Sequence, residues 1–262
     1  MLTVLGQGEG FVAVDKPAGR LVIPGRQGPE AERDLRAEVE AQLGRPLWVV
    51  HRLDRDTSGV LLFATDAAAH RVLSRAFERH LVAKRYLALC AGTLFGSGQI
   101  DRPLVPIRGG RVRVATSEED GRAGKASITH WRAVERWGTY TLVEFRPATG
   151  RLHQIRAHAA SLGHPLAVDP AYGGADRLAF GDVVLSRVPL HAASLKFPPP
   201  AGGTAVVVEA PLPSDLVCVF AHLRGQAVGG VDSVPFPSGS VGDNVRETWR
   251  TPEARPTSRH RR

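Results

Sequence analysis

Leu47-Trp48-Val49-Val50-His51-Arg52-Leu53-Asp54-Arg55-Asp56-Thr57-Ser58-Gly59-Val60-Leu61-Leu62-Phe63-Ala64-Thr65 sets a charged turn between two apolar runs. Short apolar runs bounded by turn residues read as strands, here 47–50 and 60–65. Five ionisable side chains, His51, Arg52, Asp54, Arg55 and Asp56, fall within six positions. They cannot all enter a core without partners, so the turn lies on a surface or lines a cleft. Asp56-Thr57-Ser58-Gly59 is also ordinary turn chemistry, with Asx-type hydrogen bonds and a permissive glycine. That accounts for the second half of the turn and leaves His51 to Asp54 unexplained.

Outward from this turn, strands and helices mix irregularly. Phe11 to Val14 reads as a strand, and a helix is predicted near 29–43 from Leu35, Val39 and Leu43, with Gly44 as its stop. Asp66 is placed to cap a helix whose apolar face is Ala69, Val72, Leu73, Ala76 and Phe77. Arg71, Arg75 and Arg79 share the opposite face, as phosphate contacts or as a solvated surface. Ala83 to Ala91, Ala126 to Val134, Thr139 to Phe145 and Val206 to Val208 are further predicted strands. Helices are predicted from Arg151 to Leu162 and from Leu216 to Leu223. Hairpin-like strands interrupted by a few helices point to the α+β class.

The chain has 262 residues, room for one large domain or two small ones. At 43% hydrophobic residues it has the material for a packed core, which excludes wholesale disorder. No apolar run is long enough to cross a bilayer. The first residues lack the pattern of a secretory signal, so a cytoplasmic location is expected. Cys90 and Cys218 are too few for a disulfide scaffold or a cysteine-only zinc site. The 34 Lys and Arg against 26 Asp and Glu give a net charge of +8, which fits a phosphate-backbone partner or an arginine-rich proteome alike. Composition changes near Gly225. Residues 226–262 contain no Leu or Ile and end in an arginine-rich run, so they read as a flexible basic tail that adds RNA affinity or is dispensable. The expected division is therefore a folded unit over 1–225 and a tail over 226–262. Little sequence precedes Phe11, so no further N-terminal domain is expected.

A second polar cluster is Thr149-Gly150-Arg151-Leu152-His153-Gln154-Ile155-Arg156-Ala157-His158. Arg151 falls in the first turn of its predicted helix, where the macrodipole disfavours a cation. An anionic partner, a substrate phosphate or a carboxylate of the chain, would compensate.

Together the two clusters strongly resemble signatures of the RluA family of RNA pseudouridine synthases. Weaker matches follow in the family's order: Val14-Asp15-Lys16-Pro17-Ala18-Gly19, Lys84-Arg85-Tyr86, and Leu190-His191-Ala192 with Leu195-Lys196-Phe197. Departures are Val168 in Leu166-Ala167-Val168-Asp169-Pro170-Ala171-Tyr172-Gly173, where the family usually has Gly, and Ile23-Pro24-Gly25. The resemblance implies a mixed, mainly antiparallel central sheet with flanking helices and a catalytic cleft. It implies Asp54 as the catalytic aspartate, Arg151 as its pairing arginine and Tyr86 as the tyrosine against the target base. His51, Arg52, Arg55, Thr57, Lys84, His153, Gln154 and Arg156 are expected to contact substrate. The implied reaction turns a uridine in structured RNA, ribosomal or transfer, into pseudouridine without cofactor or metal. Action as a monomer is expected.

Those roles suit the chemistry. A nearby guanidinium favours an ionised aspartate and grips it through two parallel bonds. A stacked uridine must be flipped out to meet a carboxylate, at a cost of a few kcal/mol that phosphate contacts offset. Asp54-Arg55-Asp56-Thr57 hints at an aspartyl-phosphate phosphatase, but Ser58 stands where that pattern needs Thr. A glycosidase pair of Asp54 and Asp56 is geometrically poor. The remaining alternative is an RNA-binding module without catalysis.

Overall fold

The computed structural model describes residues 1–23 and 34–226; the tail expected at 226–262, apart from Gln226, which ends a helix, and the start of the helix expected at 29–43 therefore lie outside the described residues. In chain order the elements are β1 (Val4–Gly8), β2 (Phe11–Lys16), α1 (Leu35–Leu43), β3 (Trp48–Val49), β4 (Ser58–Ala64), α2 (Ala67–Glu78) and β5 (Ala83–Ala91). They continue with β6 (Ser97–Asp101), β7 (Leu104–Ile107), β8 (Arg111–Val114), α3 (Glu118–Ala123), β9 (Ile128–Trp137), β10 (Tyr140–Pro147) and α4 (Gln154–Ser161). After a 3-10 turn at Pro170–Tyr172 come β11 (Leu178–Phe180), β12 (Val183–Leu185), β13 (Leu190–Phe197), β14 (Val206–Glu209) and α5 (Ser214–Gln226).

Ten strands form one sheet in the order β1-β2-β4-β13-β5-β10-β9-β6, with β14 added to β13 and β3 to β4. All its pairings are antiparallel except β4 with β13, where His191 aligns with Ser58 and Ala192 with Gly59. The fold is thus the expected mixed α+β sheet.

Every residue of β4 is buried, because the sheet is covered on both faces there. Val60, Leu62 and Ala64 join Phe11 and Ala13 against Ala69, Leu73 and Ala76 of α2. Leu61 and Phe63 join Val12 and Val14 against Leu35 and Val39 of α1. Strand periodicity alternates the two sets, which is why the sequence reads as one unbroken apolar run. Asp66 caps α2 as expected, its Oδ1 accepting from the Ala69 N–H at 2.8 Å. Val72, assigned to the apolar face of this helix, is 42% exposed. It lies beside Arg71, at the edge of the buried stripe that Ala69, Leu73 and Ala76 fill.

The single parallel pairing explains one motif residue. Gly59 has φ +110°, and a Cβ there would sit 2.2 Å from the Ala192 carbonyl oxygen. Only glycine lets the strand leaving the charged turn close against β13.

Candidate active site

Three elements converge on Asp54: the turn before β4, strand β5, and the segment that opens α4. The Thr57 N–H donates to the Asp54 carbonyl at 3.2 Å and closes the turn. Leu53 and Thr57 are buried and anchor it from below, whereas Arg52 and Arg55 are exposed. Two cations hold the turn by its backbone. Lys16, fully buried at the end of β2, donates from Nζ to the carbonyls of Pro17 (3.1 Å), Arg55 (2.8 Å) and Thr57 (2.7 Å). Arg187 donates to the Asp56 carbonyl at 3.2 Å while bound to both oxygens of Asp215. Burial draws the Lys16 pKa down to about 8 against the opposing pull of Asp56 and Asp54. Three carbonyls turned toward one ammonium satisfy it without a carboxylate partner.

The Asp54 side chain stays 28% exposed and lines a cavity of about 90 Å³ with Arg55, Asp56, Thr57, His153, Arg156 and Val188. Its Oδ2 faces two groups, Arg156 Nη1 at 3.8 Å and His153 Nε2 at 3.9 Å. Arg156 is itself fixed from behind. Its Nε and Nη2 each lie 2.7 Å from an oxygen of the fully buried Asp169, and its guanidinium stacks 4.9 Å over the Tyr172 ring. Burial opposes the Arg156 charge, but Asp169 and Asp54 outweigh it and hold its pKa above the ordinary value.

The expected pairing of Arg151 with Asp54 is not found. Arg151 is exposed, its Nε donating to the Ala126 carbonyl at 3.2 Å. Nor does it lie within the helix. Instead α4 starts at Gln154, and Gln154 Oε1 accepts from the Arg151 N–H at 3.0 Å to close the segment ahead of it. Leu152, read as part of the helix's apolar stripe, precedes α4 and is 50% exposed.

Several residues expected to contact substrate make hydrogen bonds within the protein. Buried Gln154 also accepts from Thr149 Oγ1 and donates to the Ile128 carbonyl and Thr129 Oγ1, which uses its hydrogen-bonding capacity inside the protein. Lys84 donates to the Thr149 carbonyl at 2.8 Å, and burial, then Arg151, lower its pKa to about 8. His51 Nε2 accepts the Leu62 N–H at 3.0 Å and its ring stacks on Phe77 at 4.7 Å. Burial, with Lys84 nearby, lowers the His51 pKa to about 3, so the ring is neutral. Sequence reasoning missed Lys16, Asp169, Tyr172 and Arg187 as parts of the site. A lysine ending a buried strand was the available signal for the first.

Tyr86, on β5 opposite Phe145 and Ala192, is half-buried between two apolar clusters. Burial and then the Asp54 charge raise its phenol pKa, so it stays protonated and presents an uncharged ring. A partly exposed carboxylate with one oxygen facing two nitrogen donors, beside an aromatic wall, suits acid-base or nucleophilic work on an extruded base.

The sequence profile of the family described as RNA pseudouridylate synthase matches residues 10–161. Ribosomal large subunit pseudouridine synthase D of Xanthomonas campestris pv. campestris is 35% identical over 238 residues, covering 85% of this chain and 70% of that protein. An uncharacterised RNA pseudouridine synthase of Mycobacterium bovis is 38% identical over 232 residues, covering 86% of this chain and 74% of that protein. Among solved structures, human RNA pseudouridylate synthase domain containing 1 superposes with a TM-score of 0.68 at 26% identity, over 83% of this chain and 87% of that one. The chain belongs to the RluA family of RNA pseudouridine synthases, isomerases that act on RNA.

Proposed function

We propose that this chain converts a uridine of ribosomal RNA to pseudouridine, with Asp54 as the catalytic carboxylate. The observation that carries this reading is the placement of Asp54, a partly exposed carboxylate on a turn clamped by Lys16, with Oδ2 facing Arg156 and His153. Its Oδ1 is left to meet the nucleoside. The ribosomal substrate is supported by relatives named for the large ribosomal subunit, including that of Nitrosomonas europaea at 36% identity. Transfer RNA is the alternative class.

In the proposed reaction the target nucleotide is flipped out and its base rests against Tyr86. The N1–C1′ bond breaks, uracil turns, and C5 bonds to C1′. The C5 proton leaves and N1 gains one, so composition is unchanged and no cofactor enters. Exposed Arg52, Arg55 and Arg151 rim the site as phosphate contacts, with Arg71, Arg75 and Arg79 of α2 further out. His153 and Arg156 act on Asp54 rather than on RNA. In this reading 1–225 is the catalytic unit, acting as a monomer in the cytoplasm.

Tritium release from RNA carrying [5-³H]uridine tests this. Release by the unaltered chain from large-subunit RNA and none by Asp54→Ala is expected. Equal release by both removes Asp54 from catalysis. Release from transfer RNA alone moves the substrate, and no release from any RNA favours a binding role.

A further inference from the structure

Tyr172 touches both groups that face Asp54. Its ring lies under the Arg156 guanidinium and its hydroxyl is 3.0 Å from His153 Nδ1. The same hydroxyl oxygen accepts the Val112 N–H of β8 at 3.1 Å. We propose that Tyr172 is a positioning residue that fixes His153 as the Nε2–H tautomer, so that His153 turns an N–H donor toward Oδ2 of Asp54. The proposal rests on the reading of Asp54 as the catalytic carboxylate.

The hydrogen count favours one arrangement. Val112 occupies one acceptor site of the tyrosine oxygen, and the phenolic hydrogen is then given to His153 Nδ1 as its acceptor in the proposed arrangement. A neutral imidazole that accepts at Nδ1 carries its proton on Nε2. That nitrogen is the one 3.9 Å from Asp54 Oδ2. The other tautomer aims a lone pair at a carboxylate and leaves the phenolic hydrogen without its acceptor. Burial favours the neutral ring by lowering the His153 pKa, and Arg156 adds to that against the pull of Asp54 and Asp169.

His153 has little freedom to turn away. Its backbone sits in the left-handed region at φ +50°, directly before α4, and its ring meets Tyr172 edge-on with centroids 5.6 Å apart. Non-glycine residues hold that conformation when surrounding contacts impose it. Contacts of this length shorten when substrate closes an active site. Oδ2 is then held by an imidazole N–H and a guanidinium, and Oδ1 is the oxygen left to react. The β7–β8 hairpin enters through Val112, so its position bears on the carboxylate through two hydrogen bonds.

Nitrogen-15 NMR of the full chain labelled in histidine reads the tautomer directly, with His153 assigned by loss of its signal in His153→Gln. Wild-type His153 is expected to show a protonated Nε2 and an accepting Nδ1. Tyr172→Phe keeps the ring over Arg156 and removes the hydroxyl. It is expected to give a tautomer mixture and a single-turnover rate lower by about tenfold, with RNA affinity changed less than about twofold. A wild-type His153 protonated at Nδ1 overturns the proposal whether or not the variant folds. So does a folded Tyr172→Phe with unchanged tautomer and rate. Full activity in Asp54→Asn would instead remove the catalytic reading of Asp54 and leave the tautomer result standing.

Discussion

Arg156, five positions beyond the arginine that the sequence motif singled out, is the guanidinium facing Asp54, with Nη1 3.8 Å from Oδ2. The same side chain spans from this partly exposed carboxylate to the fully buried Asp169. Its position is therefore set by the core before any RNA arrives. Among the described residues the Arg151 side chain has a carbonyl partner and is exposed, which leaves its charge available for a phosphate or for Asp54 once RNA is bound.

The two arginines should separate in stability. Arg156→Ala leaves Asp169 as a buried unpaired charge and should destabilise the fold by about 3–5 kcal/mol. Arg151→Ala removes an exposed side chain and should stay within about 0.5 kcal/mol of the parent. Urea denaturation measures both. The reverse order would make Arg151 the structural partner.

Gly59→Ala tests the closure of β4 on β13. The added methyl meets a backbone carbonyl at 2.2 Å and the residue must keep φ +110°. Strain and overpacking together should cost about 2–5 kcal/mol. A loss below about 1 kcal/mol by denaturation would show that the strands part easily.

How much of this was legible follows from where partners lie along the chain. β4, β5, α2 and α5 announced themselves because each puts a regular apolar stripe against the core. β13 did not, since a bulge between Ala192 and Ser194 breaks its alternation in the middle of the sheet. β7, β8, β11 and β12 are three or four residues long, too short for a period, and Arg111-Val112-Arg113-Val114 reads as polar. The turn at Asp54 was legible from its unsatisfiable charge. Its supports were hidden because Lys16 and Arg187 bind backbone carbonyls, which carry no sequence signature. The choice between Arg151 and Arg156 needed Asp169, reached only when the chain folds back.

Lys16 sets a pH dependence of stability. Its pKa falls from 10.5 to about 8 on folding. Between those values the unfolded chain holds the extra proton, so the Lys16 contribution to stability rises with pH across that window. Below about pH 8 the full burial penalty is present. The stability difference between the parent and Lys16→Met should climb from pH 8 to 10, by at most about 1.4 kcal/mol per unit. Catalysis should move the opposite way, because the neutral amine has two N–H donors for three carbonyls. A flat difference between parent and variant would mean Lys16 keeps an ordinary pKa.

His51→Leu should act on folding rather than on RNA. The Leu62 N–H loses its acceptor, a change worth about 1–3 kcal/mol, while RNA affinity at fixed salt is unchanged. Because the His51 pKa falls from 6.5 to about 3 on folding, the unfolded chain holds the extra proton between those values, so the His51 contribution to stability should rise from pH 5 to about 6.5 and level off above it. Weakened RNA binding with an unaltered unfolding curve would return His51 to the substrate contacts first expected of it.

The exposed arginines of α2 pose the remaining question of where RNA lies. Arg71, Arg75 and Arg79 stand on the solvent side of the helix, and Arg79 closes its C-terminal end. If phosphates reach this face, each neutralised arginine releases counterions. The slope of log affinity against log salt then loses about 0.7–0.9 per contact removed. Replacing all three by Gln should flatten the slope by about 2 while leaving the single-turnover rate at saturating RNA intact, because none of them faces the cavity. A parallel salt dependence in parent and triple variant would assign the stripe to solvation alone. The electrostatic footprint would then rest with Arg52, Arg55 and Arg151 around the cleft.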